Sequence, residues 1–287
     1  MTTYLINVDG LASLKDKTIL ITGAATGIGR SAVQIALENG AKVAVGDWNE
    51  EAAALIAPFG DRALFKKCDV SNWDDVLSLF EEAHSKFGVL HSVISNAGIN
   101  THEGFLSDEL DDESGKLLAP SLKSIDVNLV GPIYVTKCAI HFFRKWPDVA
   151  CQLVINSSAG AFFPAPPIHL YCAAKTGLLG LMRALRTETI KENITINTVA
   201  PWLTITPMVL PDWLQKWGHL PRNSTTGVAN ALFLPILQPK VNGKSFFVAG
   251  DQIIDFEDTL YNAEPQWMGE QLSRDVRAGQ KLLLGVD

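Results

Sequence analysis

The sequence TGAATGIG at residues 22–29 decides the fold, because it joins a short apolar run directly to a segment of helical period. Gly23, Gly27 and Gly29 allow the backbone to turn tightly and to approach a bound pyrophosphate closely. The N–H groups at the start of the following helix would point at the same anion. A glycine-rich turn alone could be an ordinary turn, but the strand before it and the helix after it favour a dinucleotide site.

Outward from this turn, apolar or β-branched runs alternate with helical segments, which is typical of βα units around a parallel sheet. We predict seven strands, at residues 18–22, 42–47, 62–68, 90–95, 152–157, 195–199 and 245–248. We predict helices at residues 28–39, 50–57, 73–87, 121–145, 170–192 and 225–237. The expected fold is α/β, a single Rossmann-like domain over residues 1–287 whose doubly wound, seven-stranded parallel sheet carries helices on both faces.

Three segments depart from this alternation. Residues 101–120, the acidic insertion, carry a charge run that predicts a solvated loop. Residues 202–223, the covering segment, are rich in Pro and Trp and follow the sixth strand, so they should overhang a ligand site at the carboxyl ends of the strands. The tail at residues 251–287 has too little periodicity for an assignment.

The composition narrows the classes of partner. With 287 residues, 47% of them hydrophobic, the chain can bury one large core without disulfides or metal ions. A net charge of −7 disfavours nucleic acid and anionic membranes as partners. The sequence shows neither a signal peptide nor a membrane span, so we expect a cytoplasmic protein. We also expect no metal site and reduced, structural cysteines, because the four thiols are widely spaced, at Cys68, Cys138, Cys151 and Cys172.

Asp47 ends the second predicted strand, about 20 residues after the glycines, where a carboxylate can bind the hydroxyls of an adenine ribose. This position favours NAD over NADP, because a 2′-phosphate would meet the charge of Asp47. Trp48 supplies no cation to compensate. Arg30 is near in sequence, but it falls just inside the helix, where a solvated surface role is at least as good an interpretation.

Tyr171 and Lys175 lie four residues apart in a segment of strong helical character, so they should share one helix face. Such a pair alone could be an exposed surface pair. Ser158 comes directly after the fifth predicted strand and thirteen residues before Tyr171, and the sequence NAG at residues 96–98 comes directly after the fourth. All of these groups should therefore meet at the same edge of the sheet. For Tyr171 to accept a proton, its pKa must fall from about 10, and one Lys⁺ at about 4 Å supplies an interaction of the required size.

With these motifs the sequence resembles the short-chain dehydrogenase/reductase family over residues 15–250. The matching motifs are TGAATGIG, Asp69 in CDVS, NAG, Asn128 in DVNLVG, Ser158, and YCAAK at residues 171–175. The motif set is most similar to the NAD-dependent, 15-hydroxyprostaglandin-dehydrogenase-like branch. The resemblance implies bound NAD, a homodimer or homotetramer, and a catalytic set of Asn128, Ser158, Tyr171 and Lys175.

The resemblance also implies a role for each of these residues. Ser158 would hydrogen-bond to the substrate oxygen, Tyr171 would be the acid/base, and Lys175 would bind the nicotinamide ribose. Asn128 would interrupt its helix and hold a proton-relaying water. The implied cofactor-binding residues are Gly23, Thr26, Gly27, Ile28, Gly29, Asp47, Trp48, Asp69, Val70, Asn96, Ala97, Gly98, Tyr171, Lys175, Pro201, Thr204 and Thr206.

One residue departs from the family pattern, because Trp202 follows Pro201 where the family has Gly. Glycine permits backbone dihedrals that Trp tolerates poorly, so the local geometry is in question. The covering segment is rich in apolar residues and has a single Lys before Arg222. This composition favours a bulky, hydrophobic secondary alcohol or ketone as the substrate. Besides Ser158 and Tyr171, the candidate substrate residues are Phe163, His169, Trp202 and Trp213, with His102, Phe162 and Trp217 as neighbours.

Three functions fit these observations. The first is an NAD-dependent dehydrogenase that oxidises a secondary alcohol or runs in reverse. The second is an isomerase, epimerase or lyase that keeps bound NAD without net redox turnover. The third is a non-catalytic dinucleotide sensor, which the complete Asn, Ser, Tyr and Lys set disfavours. For the aromatic residues, ordinary packing against the core is as good an interpretation as substrate contact.

Overall fold

The structure is a computed structural model that describes residues 3–4, 8–101, 103–209 and 211–284. All of its strands form one sheet in the order β1-β9-β8-β7-β6-β5-β2-β3-β4. The strands are β1 Thr3–Tyr4, β2 Thr18–Thr22, β3 Lys42–Asp47, β4 Ala63–Lys67, β5 Ser92–Ser95, β6 Cys151–Asn156, β7 Ile194–Pro201, β8 Ser245–Ala249 and β9 Gln252–Asp255.

The helices lie on both faces of the sheet. They are α1 Gly27–Glu38, α2 Glu51–Ile56, α3 Trp73–Phe87, α4 Lys123–Ile125, α5 Gly131–Phe143, α6 His169–Thr189, α7 Pro211–Trp217, α8 Thr225–Leu237, α9 Phe256–Met268 and α10 Glu270–Leu284. Among the residues that the structure describes, no helix combines the length and the apolar character needed to cross a membrane.

Strands β2 to β8 are parallel, and β1 and β9 are antiparallel additions at one edge. The predicted fold class is confirmed, but the prediction of seven parallel strands missed these two. Strand order runs outward from β2 through β3 to β4, and from β5 through β6 to β8 on the other side. The order therefore reverses between β2 and β5, where open α/β sheets bind ligands.

Two apolar layers bury the sheet. One lies under α1 and α8, where α1 contributes Ala32, Val33, Ala36 and Leu37 at helical spacing. The other lies under α3, α5 and α6, where α3 contributes a similar stripe. The sequence predicts both stripes because apolar residues recur every three or four positions.

The helix predicted at residues 121–145 is not continuous. It consists of α4, a π-helical turn at Asp126–Val130, and α5. The tail that had no assignment forms β9, α9 and α10. Among the described residues of the covering segment, the one α-helix is the short helix α7. The acidic insertion is mostly exposed, as predicted for a solvated loop, with the exception of Glu103, which is buried.

Candidate active site

A cleft of about 720 Å³ opens at the carboxyl ends of the parallel strands. It begins at the turn between β2 and α1 and runs past the ends of β5 and β6 to the covering segment. All of the sequence-predicted cofactor residues line it except Gly29, which is buried beneath the turn. The structure therefore brings together groups that lie as far apart in sequence as Gly23 and Thr206.

The glycine turn is shaped by close packing. Gly23 has φ of +72°, and a Cβ added to it would lie 2.5 Å from the Cα of Ala97. A Cβ on Gly29 would lie 1.9 Å from the carbonyl oxygen of Gly23. At the start of α1, Thr26 makes no side-chain capping bond, so the first N–H groups of the helix are available to an anion. These features fit the pyrophosphate of a dinucleotide.

Asp47 has a second role that the sequence did not predict. Its Oδ2 accepts hydrogen bonds from the backbone N–H groups of Ala24 at 2.6 Å and Ala25 at 2.7 Å. Its Oδ1 accepts one from the N–H of Asn49 at 2.8 Å. The carboxylate therefore ties the end of β3 to the glycine turn, and Asp47 also lines the cleft.

A cation, Lys67, lies beside Trp48. The sequence around Asp47 did not predict it. Trp48 is 72% exposed, and the Nζ of Lys67 lies 5.9 Å from its ring centroid. The same Nζ lies 2.8 Å from Oε1 of Glu50, with which it forms an exposed ion pair. Lys67 is twenty residues from Asp47 in sequence but pairs with it in register on β4.

Asn96 connects the strand ends beneath the cleft. Its Nδ2 donates to the carbonyl of Gly23 at 2.6 Å, and its backbone N–H donates to Oγ1 of Thr22 at 3.1 Å. Asn156, which the sequence prediction missed, donates from Nδ2 to Oδ1 of Asn96 at 2.8 Å. This chain of amides fixes the ends of β2, β5 and β6 relative to one another.

Tyr171 and Lys175 lie in the first turns of α6 and line the cleft together with Ser158. The Nζ of Lys175 is 5.5 Å from the Tyr171 ring centroid and donates to the carbonyl of Asn156 at 2.9 Å. Ser157 Oγ donates to the carbonyl of Lys175 at 2.9 Å. The end of β6 therefore holds this part of α6 in place.

Asn128 lies in the π-helical turn, where the irregular backbone leaves its side chain free to bond across the site. Its Nδ2 donates to the carbonyl of Ile99 at 2.9 Å, and its Oδ1 accepts from the N–H of Ile99 at 3.2 Å. A Cβ on Gly98 would lie 2.7 Å from that Oδ1 and 3.5 Å from Nζ of Lys175. Gly98 thus keeps open the space between the amide and the ammonium group.

Burial controls the protonation of the pair on α6. Burial raises the pKa of Tyr171, and its hydrogen bond with Ser158 lowers that pKa only in part. Burial lowers the pKa of Lys175 to about 8. From the sequence we expected Lys175 to lower the pKa of Tyr171. Among the protein's own groups, burial instead raises this pKa most strongly, and the group that lowers it is Ser158.

Trp202 is accommodated without strain. Among the described residues, only Asp16, Asn193 and Asp251 combine a side chain with positive φ, so Trp202 does not need the conformation that favours glycine. Its backbone N–H donates to the carbonyl of Val248 at 2.8 Å. Its ring lies 5.2 Å from that of Trp217, centroid to centroid.

Some of the aromatic candidates line the cleft, and the others pack outside it. Trp202, Trp213 and Trp217 line the cleft. Phe163 is 49% exposed and packs on Trp202 from outside it, with centroids 5.6 Å apart. The others lie elsewhere: Phe162 packs on Phe256, and His169 on Phe105.

His102 lies outside the described residues. The cleft wall also includes Pro164, Pro166 and Ile168, which carry no motif that a sequence argument could use. Within the described part of the chain, no cluster of three His, Cys, Asp or Glu side chains is placed to hold a metal ion.

Known proteins resemble this chain along most of its length. A family model described as short chain dehydrogenase matches residues 17–216. The chain is 31% identical to short-chain dehydrogenase/reductase prx4 of Penicillium rubens, over 94% of this chain and 85% of the relative. It is 28% identical to the NAD(+)-specified 15-hydroxyprostaglandin dehydrogenase of Bos taurus, over 89% and 98%. Among solved structures, 3-ketoacyl-(acyl-carrier-protein) reductase from Brucella melitensis, complexed with NADH, is similar with a TM-score of 0.72 and 26% identity, over 83% of this chain and 98% of that one.

Proposed function

This chain belongs to the short-chain dehydrogenase family, and we propose that it is an NAD-dependent dehydrogenase that interconverts a bulky, hydrophobic secondary alcohol and its ketone. One observation carries the proposal. Ser158, Tyr171 and Lys175 line the same cleft as the glycine turn and Asp47. Acid/base groups and a dinucleotide cradle are thus close enough to act on one substrate.

The residues around the cleft fit NAD. The glycine turn and the start of α1 would hold the pyrophosphate, and Asp47 the adenine ribose. Lys175 would bind the nicotinamide ribose. The cofactor supplies the acceptor for the hydride. Support for NAD comes from the name of the bovine relative and from the NADH in the Brucella structure.

The chain's own residues would manage the proton. Ser158 would hydrogen-bond to the substrate oxygen, and Tyr171 would take the hydroxyl proton during oxidation. Because burial raises the pKa of Tyr171, the positive charges of Lys175 and of the oxidised cofactor would be needed to favour the tyrosinate. Asn128, whose amide is held by Ile99, would position a water that passes the proton onward.

The part of the cleft that the covering segment lines supports the proposal of a hydrophobic substrate. Trp202, Trp213 and Trp217 line it together with Leu203, Met208 and Val209. Burial of apolar substrate surface against this wall would stabilise the complex by about 25 cal/mol per Å². The wall offers few groups to pair with a phosphate or with several carboxylates.

The test is a screen of secondary alcohols with NAD⁺, and of ketones with NADH, read as the absorbance of reduced nicotinamide. We expect NADH to form in equal amount to the ketone. Tyr171→Phe should abolish turnover while leaving NADH binding nearly intact, because it removes only the hydroxyl. Product formed without net NADH would instead favour an isomerase, epimerase or lyase. If Tyr171→Phe kept more than about a few per cent of activity, another residue would be the base.

We also propose that the chain forms a homodimer or homotetramer, as the family resemblance implies for the two helices α5 and α6. Ile133 on α5 is an exposed apolar side chain that such an interface would cover. Light scattering at micromolar concentration tests this, and a monomeric mass would contradict it.

A further inference from the structure

Among the described residues of the acidic insertion, Glu103 is the exception because it is buried. It is 4% exposed, whereas Leu106, Leu110 and Leu117 in the same insertion are well exposed. A carboxyl group is rarely buried to this extent unless hydrogen bonds compensate its lost hydration. Its partners therefore indicate what the burial achieves.

Those partners are the first N–H groups of the helix that carries Tyr171. Oε2 of Glu103 accepts from the N–H of Leu170, and Oε1 from the N–H of Tyr171, both at 2.8 Å. Helix α6 has no side-chain cap from its own N-cap residue, Ile168. Glu103 thus supplies from a distant segment the cap that the helix lacks locally.

The insertion is itself fixed at this point. The backbone carbonyl of Glu103 accepts from the N–H of Ser121 at 2.9 Å, which closes the insertion at its base. The ring of Phe105 lies 5.8 Å from that of His169, the first residue of α6, centroid to centroid. The main-chain bond therefore closes the insertion on itself, and the ring contact joins it to the start of α6.

Tyr171 and Lys175 are held by different parts of the fold. The carbonyl of Asn156 accepts from Nζ of Lys175, and Ser157 Oγ donates to the Lys175 carbonyl, so the end of β6 fixes the lysine. The backbone of Tyr171 lies one turn earlier and is bonded to Glu103. Loss of Glu103 should therefore change the position of Tyr171 more than that of Lys175.

We propose that Glu103 is a positioning residue that holds the backbone of Tyr171 in the place where its hydroxyl can exchange a proton with substrate. This inference rests on the proposed role of Tyr171 as the acid/base. A shift of about 1 Å in a reacting group can lower a rate about 100-fold. A capping contact is close enough to the tyrosine to produce a shift of that size.

The experiment compares Glu103→Ala and Glu103→Gln with the wild type, using the secondary alcohol that gives the most NADH in the screen above. Glu113→Ala is the matched control, because Glu113 is an exposed carboxylate of the same insertion. Tyr171→Phe is measured in parallel. The readouts are kcat, KM, the Kd of NADH by fluorescence, and hydrogen–deuterium exchange of peptides from α6.

We expect Glu103→Ala to lower kcat by about 10- to 100-fold while the Kd of NADH stays within about threefold of the wild type. The kcat of Glu103→Gln should lie between those of the wild type and Glu103→Ala, because the glutamine amide keeps one acceptor oxygen. Exchange should become faster at residues 169–172 in both variants and stay unchanged at residues 176–186. If the Ala variant does not fold, the Gln variant carries the same comparison.

Two outcomes would overturn the inference. One is a kcat within about twofold of the wild type while exchange at residues 169–172 rises, which would make Glu103 a cap without effect on chemistry. The other is an equal loss of kcat and of NADH affinity, which would indicate general loosening of α6. An active Tyr171→Phe variant would overturn the proposed function instead.

Discussion

Replacement of Asp47 tests at once its contacts with the glycine turn and its proposed contact with the cofactor. Its carboxylate accepts hydrogen bonds from Ala24 N and Ala25 N in the glycine turn, and it faces the cleft where the adenine ribose would bind. Asp47→Ala should therefore weaken the turn as well as relax the choice between NAD and NADP. A carboxylate that only selected the cofactor would leave stability unchanged.

The magnitude follows from the contacts. A hydrogen bond to a charged acceptor contributes about 1.5–3 kcal/mol, and water can replace part of it because Asp47 is half-buried. We expect the free energy of unfolding to fall by about 1–2 kcal/mol. Loss of the ribose contacts and of turn order should raise the Kd of NADH by about 10- to 100-fold, or about 1.4–2.8 kcal/mol.

Urea unfolding and fluorescence titration with NADH and NADPH measure the two effects, with exposed Asp61→Ala as the control. The wild type should prefer NAD over NADP by about tenfold or more in kcat/KM, and Asp47→Ala should bring the ratio near one. Adding Trp48→Arg should invert it, since an arginine can pair with the 2′-phosphate. An unchanged ratio in Asp47→Ala would refute the role in selection, and unchanged stability would refute the role in the turn.

Three further predictions concern the floor and the wall of the cleft. Burial lowers the pKa of Lys175 to about 8, whereas an unfolded lysine titrates near about 10.4, so the unfolded chain binds more protons between these values and stability rises with pH there. Lys175→Met should therefore stabilise the protein by up to about 3 kcal/mol near neutral pH and abolish turnover, with the gain shrinking toward pH 10 in urea titrations. Gly98→Ala, whose Cβ would lie 2.7 Å from Oδ1 of Asn128, should lower kcat/KM by about 10- to 100-fold with an unchanged circular dichroism spectrum. Along a series of 2-alkanols, kcat/KM should rise by up to about fourfold per CH₂, and a flat series would contradict an apolar substrate wall.

The sequence was sufficient to predict the parallel part of the sheet, because each strand and each amphipathic helix carries its own periodic pattern. It could not predict β1 and β9. Strand β1 has two residues, too few for any period, and β9 is defined by its pairing with β8 and β1. Helix α9 contains Pro265, which argues against a helix locally.

At the cleft, a residue can be predicted from the sequence where a motif fixes its spacing, but not where a tertiary contact places it. Asn156 and Lys67 belong to ordinary strand sequences, and only the sheet register brings them to the cofactor end. Glu103 lies among other acidic residues, so a solvated loop was the better prediction. Its partners are 67 and 68 residues away. No local pattern encodes such a contact.

The unstrained backbone at Trp202 has a consequence for protein engineering. Since position 202 does not need a left-handed conformation, its side chain can be varied without a backbone penalty. The ring contacts of Trp202 are with Trp217, Phe163 and Phe247, and the catalytic groups are not among them. A library of smaller side chains at this single site would widen the cleft and leave the proton-transfer machinery in place, which makes position 202 a natural starting point for altering substrate scope.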